Sequence, residues 1–136
     1  MRKPLFSMIF ALACSATTAA LADQFLCELK SQGRDFGYVA PDVFVDLAQD
    51  GSAATVDDGI IRNFTKHDKG IAAKIVENTD KRLVLRWSVD LRDSTGQGAR
   101  MGYRLTIFRD KLTARINGTP MGYANNFEGR GTCKKV

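Results

Sequence analysis

The stretch Leu83-Val84-Leu85-Arg86-Trp87-Ser88-Val89-Asp90-Leu91 decides the fold class. Leu83, Leu85, Trp87, Val89 and Leu91 recur at every second position, with Arg86, Ser88 and Asp90 between them. Successive side chains of a strand point to opposite sides of a sheet, so this alternation predicts an antiparallel strand with one buried and one wet face. Downstream, Met101, Tyr103, Leu105 and Ile107 are set to face inward, and Arg104 and Thr106 outward. After a turn at Asp110-Lys111, Leu112, Ala114 and Ile116 face inward, and Thr113, Arg115 and Asn117 outward. A two-residue turn there sets Ile107 opposite Ala114 and Leu105 opposite Ile116, so the inward sets coincide. Upstream, Val43, Val45 and Leu47 run into the turn pair Asp50-Gly51, which sets Leu47 beside Ala54 and Val45 beside Val56.

Further strands are expected over 24–31, 59–65, 70–77 and 126–134, separated by turn signals such as Asp57-Asp58-Gly59 and Lys66 to Gly70. The stretch 35–42 is either a short strand or a loop ended by Pro41. No helical periodicity stands out after residue 22. About eight short strands at regular spacing predict one all-β domain: a small antiparallel barrel wound as an up-and-down meander, or a sandwich.

The cysteines bear on closure. Cys27 shares a face with Phe25 and Leu29, and Cys133 shares one with Phe127, Gly129 and Gly131. Both therefore lie on the apolar face of a terminal strand. A bridge between Cys27 and Cys133 would join those strands, close the sheet and remove two aggregation-prone edges. Gly129 and Gly131 would leave room for aromatic side chains opposite. No C-x-x-C motif is present, and two isolated cysteines so placed read as a structural disulfide if the chain works in an oxidising compartment.

Export is read from the first 22 residues. Arg2 and Lys3 form a cationic start, Leu5 to Ala13 an apolar core, and Ala20-Leu21-Ala22 a small-residue cleavage site before Asp23. This is the three-part pattern of a removable signal peptide, and the core is too short for a spanning helix. The expected organisation is a signal over 1–22 and an all-β domain over 23–136, working in the periplasm or secreted. A second reading takes Phe10 to Cys14 as a lipoprotein box, with Cys14 lipidated and the protein anchored to a membrane. Loss of Arg2 and Lys3 lowers the net charge from +5 to +3, a balance that concerns solubility and does not point to nucleic acid.

Chemical motifs are sparse. His67, the single histidine, lies in the charged turn Lys66-His67-Asp68-Lys69 with no nucleophile placed beside it. One histidine and two bridged cysteines do not make a zinc site. Asp50-Gly51-Ser52 and Asp57-Asp58-Gly59 lack the alternating ligands of a calcium loop, and Asp-Gly is what hairpin turns favour. Gly96 to Arg100 joins two strands, whereas a phosphate cradle needs a helix to follow. No catalytic, metal or cofactor site is named, and no enzyme is expected.

Two surfaces remain. Arg62, Lys74, Arg86, Arg104 and Arg115 are basic, and the last four occupy outward positions on strands that a meander would make consecutive. Side by side, Lys74, Arg86, Arg104 and Arg115 would form a stripe suited to an acidic envelope protein, an anionic glycan or a lipid headgroup. Glu77 and Asp90 stand near enough in the sequence to balance it. The other surface is the interior, where Phe25, Trp87, Tyr103 and Phe127 would either line a small ligand cavity or fill it. An eight-stranded barrel is barely wide enough for its own side chains, so filling is expected. The loop Met121 to Asn126 is placed to gate one barrel end.

An early Cys27, the Leu85-Arg86-Trp87 strand and the terminal Gly131-Thr132-Cys133 together make the chain resemble small uncharacterised bacterial exported proteins of all-β type, a resemblance that implies the fold and the compartment but no activity. The architecture is also similar to that of periplasmic lysozyme inhibitors, although no S-G-x-x-Y motif is present to carry an inhibitory role. The expected function is a non-enzymatic binding or interaction module of the cell envelope, or alternatively a lipocalin-like carrier of a small apolar ligand.

Overall fold

Alternating apolar positions recur along most of the chain, and the strands they specify close on themselves. The computed structural model describes residues 23–34, 36–92 and 95–136; the signal segment 1–22 and Cys14 lie outside the described residues. The elements are β1 (Asp23–Ser31), β2 (Asp42–Leu47), β3 (Ala54–Asp58), α1 (Gly59–Thr65), β4 (Ile71–Asn78), β5 (Arg82–Arg92), β6 (Gly98–Phe108), β7 (Thr113–Pro120) and β8 (Phe127–Lys135). Each strand pairs antiparallel with the next, and β8 pairs with β1 to complete a closed barrel. The expected registers hold: Leu47 faces Ala54, Val45 faces Val56, Ile107 faces Ala114 and Leu105 faces Ile116.

Cys27 and Cys133 stand directly opposite each other in the β1–β8 ladder and are bonded, with both side chains buried. The bond spans 106 positions of sequence. Gly129 and Gly131 serve the seam differently from expectation. A Cβ on Gly131 would lie 1.7 Å from the Glu28 carbonyl oxygen, and one on Gly129 would press on Val39 and Ile116. The glycines therefore admit the β1 backbone and two aliphatic side chains, and no aromatic ring. The glycine that makes room for a ring is Gly118, where a Cβ would meet Tyr103 at 2.9 Å.

The inward faces form one apolar core in which Phe25, Leu83, Leu85, Met101, Leu105 and Ile107 are fully buried. Trp87 stacks on Tyr103 with ring centroids 5.6 Å apart. The Tyr103 hydroxyl donates to the Tyr38 carbonyl at 2.8 Å, fastening the loop between β1 and β2, and burial pushes its phenol pKa up. That loop includes most of the stretch 35–42; it is not a strand, and its Pro41 carbonyl accepts from Leu29 N at 2.7 Å. With apolar residues inside and charges outside, the pattern is the reverse of a membrane-spanning barrel.

The segment 59–65, expected as a strand, is the helix α1. Asp58 is its N-cap, with Oδ1 accepting from Ile61 N at 2.7 Å, and Lys66 ends it in the left-handed conformation. Ile60 and Ile61 enter the core from the helix. An aspartate whose oxygen satisfies a free amide favours a helical turn over strand continuation. Asp57-Asp58-Gly59 is therefore a helix start and not a hairpin turn. Burial raises the Asp58 pKa despite the two backbone amides that oppose it.

Candidate functional site

The ladders place outward-facing residues of adjacent strands in a row across the wall. Lys74 faces Arg86, Arg86 faces Arg104, Arg104 faces Asn117, and Asn117 faces Glu128. The row thus begins with three adjacent exposed cations. Among the described residues, no carboxylate is paired with Lys74, Arg86 or Arg104. The acids expected to balance them are engaged elsewhere: Glu77 pairs with Arg82 at 2.9 Å and Asp90 with Arg100 at 3.6 Å. Arg62, on α1, pairs with Asp57.

Arg115 does not join this row. It faces Thr106 on one side and Arg130 on the other, two residues from Asn117. Its Nε donates to Glu128 Oε1 at 2.6 Å, and Arg130 Nε donates to the same oxygen at 2.9 Å. Arg115 and then Arg130 hold the Glu128 carboxyl below its ordinary pKa. One carboxylate therefore bridges two directly opposed arginines.

The two arginine pairs occupy equivalent places. Arg86 and Arg104 oppose each other on β5 and β6, just as Arg115 and Arg130 do on β7 and β8. Lys81 and Arg109 mark a hydrogen-bonded position in the first ladder, and Leu112 and Cys133 in the second. Alternation from those points puts both arginine pairs at non-hydrogen-bonded positions, where side chains stand closest. Glu128 lies two residues before Arg130. The corresponding residue, two before Arg104, is Gly102.

Gly102 forms the floor of a groove of about 470 Å³ on the outer wall. The ladder registers put Arg86, Arg104 and Asn117 in one row of its lining and Gly102 and Thr119 in the next, and Met121 and Tyr123 supply the remaining side. The loop 121–126, expected to gate a barrel end, contributes that remaining side. Met121 N donates to the Arg100 carbonyl at 2.8 Å, and the Thr119 hydroxyl donates to Asn126 Oδ1 at 3.3 Å, holding the loop base in place. Tyr123 is 67% exposed. The sequence reading found the two arginines but missed Gly102, Thr119 and Tyr123 as their neighbours.

Other sequence candidates resolve into structural roles. His67 is exposed, and its backbone amide donates to Thr65 Oγ1. Asp50 Oδ1 accepts from the amide and hydroxyl of Ser52, which lowers its pKa and fixes the β2–β3 turn. No cluster of metal-binding side chains occurs among the described residues. At the far rim, Arg109 donates to Asp23 at 3.1 Å and to Asn78 at 2.7 Å, so its charge is met within the chain. No protein-family model, curated protein or solved structure matches this chain.

Proposed function

We propose that the protein is an exported, non-enzymatic binding module of the cell envelope that engages an anionic partner through Lys74, Arg86 and Arg104. The observation that carries this reading is the contrast in pairing: among the described residues, three adjacent cations lack a carboxylate, while neighbouring arginines have one. Like charges directly opposite in a sheet are destabilising, so a bound anion would offset their repulsion. The leader over 1–22 and the Cys27–Cys133 bond support a working place in the periplasm or outside the cell, since disulfides persist in oxidising compartments.

Binding on the wall is favoured over carriage of an apolar ligand because the described interior is occupied by the protein's own side chains, Trp87 and Tyr103 included. Retention on a sulfated-dextran column in increasing salt tests the reading. The Arg86→Glu/Arg104→Glu variant is expected to elute at clearly lower salt than Arg115→Glu/Arg130→Glu, which makes the same change in net charge. Equal elution of the two variants would remove the row from the proposal. N-terminal sequencing of exported protein should find Asp23 first; a lipid-modified Cys14 at that position would replace the soluble assignment with an anchored one.

A further inference from the structure

We infer that the groove over Gly102 binds the carboxylate of an acidic saccharide, with Arg86 and Arg104 clasping the carboxylate and Tyr123 flanking the sugar ring. The inference deepens the anionic-partner reading and rests on it. Its starting point is the equivalence of the two arginine pairs. At Arg115 and Arg130 the chain supplies its own carboxylate from position 128. At Arg86 and Arg104 the corresponding position is Gly102, which has no side chain to offer. The place that a glutamate carboxylate fills in one pair is thus open to an external carboxylate in the other.

The surroundings select the rest of the ligand. An arginine pair favours a planar carboxylate, because guanidinium donors match its two oxygens. Asn117 and Thr119 also line the groove: with the Thr119 proton and Asn117 Oδ1 engaged by Asn126, the Asn117 Nδ2 and the Thr119 oxygen lone pairs remain to meet sugar hydroxyls. Tyr123 offers an exposed ring of the kind that buries apolar area while keeping a polar tip wet, and the C–H face of a pyranose is such an area. A volume of about 470 Å³ falls within the usual range of small-ligand sites, roughly 300–1,000 Å³. A flexible acidic peptide would satisfy the arginines but has no use for the ring and the hydroxyl-matching groups.

Gly102 also provides a clean probe. A Cβ there would meet only Met121 Cε at 3.6 Å and the Thr119 carbonyl at 3.7 Å, ordinary contact distances. Gly102→Val fills the groove without altering charge, and Gly102→Glu adds the carboxylate that position 128 holds in the other pair. The experiment is calorimetric titration of the exported protein with trigalacturonate and trimannuronate, beside the neutral galactotriose and hexaglutamate. At least one uronate trimer should bind in a salt-sensitive manner, and galactotriose should bind about tenfold more weakly or not at all, as loss of a charge-assisted hydrogen bond implies. Gly102→Val, Gly102→Glu and Tyr123→Ala should each weaken uronate binding by about tenfold, with unchanged circular dichroism. Hexaglutamate binding that depends on Arg86 and Arg104, with no uronate binding or none sensitive to Gly102→Val and Tyr123→Ala, overturns the saccharide and keeps the anionic-partner reading. Failure of every anion to bind through Arg86 and Arg104 overturns both.

Discussion

Two arginine pairs on one barrel wall have met the same electrostatic problem differently. Arg115 and Arg130, next to the β1–β8 seam, are neutralised in part by Glu128. Arg86 and Arg104, in the β5–β6 ladder, keep their charge beside Lys74. Strand direction, ladder parity and side-chain type are shared, and the carboxylate is supplied at one corresponding position and not the other, glutamate at 128 and glycine at 102. Near the seam the wall is arranged for stability. On β5 and β6 it keeps a repulsive contact that stability alone would not select, which is a common mark of a binding surface.

The largest way to break this comparison is to open the seam. Closing a loop of 106 residues stabilises by about 5 kcal/mol in the chain-entropy model. Cys133→Ser or reduction should therefore lower the melting temperature by roughly 10–25 °C, read by calorimetry. NMR of the reduced protein near its midpoint should show loss of the Arg115–Glu128–Arg130 contacts, because β8 is held between β1 and β7. A melting temperature unmoved by reduction would deny the seam its structural role.

Gly131→Ala attacks the same region without touching sulfur. Its Cβ would lie 1.7 Å from the Glu28 carbonyl oxygen, and backbone must move to admit it. The expected loss is about 3 kcal/mol in denaturant unfolding, at the upper end for overpacking. Gly102→Ala, at an ordinary contact distance from its neighbours, should cost nothing measurable. Equal losses would show that the two glycines do not differ as their surroundings indicate.

How far these features are legible in the sequence depends on range. Period-two alternation was sufficient for the β5, β6 and β7 faces, and turn length for the pairing of Ile107 with Ala114. That same register sets Arg104 opposite Asn117 and leaves Arg115 two residues away, so the stripe of four was already reducible to three. The bridge from Glu128 was not legible, because the β7–β8 register runs through the loop 121–126, whose length does not select one turn type. The helix α1 was hidden by its brevity: seven residues hold Ile60, Ile61 and Phe64 at helical spacing but too few repeats to stand out. Its one clear sign was Asp58, which reads equally well as a turn residue until its side chain is seen capping Ile61.

A smaller effect sharpens the comparison by pH. Arg115 and Arg130 hold the folded Glu128 pKa below the ordinary glutamate value of 4.5. Folding is then favoured by the ionised carboxylate above pH 4.5, and this contribution fades as pH falls through the lower folded value. Glu128→Gln should flatten the acid limb of the stability curve, and Arg104→Gln should leave that limb unchanged. Chemical denaturation at a series of pH values separates the two, and an identical acid limb in Glu128→Gln and the parent protein would remove the bridge from the account.

The smallest effect has the most informative sign. Truncating a charged side chain at an exposed strand position usually does little. Here Arg104→Gln removes a like charge directly opposite Arg86, and the repulsion it relieves is a few tenths of a kcal/mol at an exposed site. Arg104→Gln should therefore raise stability slightly, and Arg115→Gln, which breaks a pair with Glu128, should lower it. Gly102→Glu should stabilise as well by supplying to Arg86 and Arg104 what Glu128 supplies to the other pair. The gain in both variants should shrink as salt rises, because the repulsion being relieved is exposed and screened. A loss of stability in Arg104→Gln would mean that the row is favourable in the unbound protein, and the argument that it waits for an external anion would then have no energetic basis.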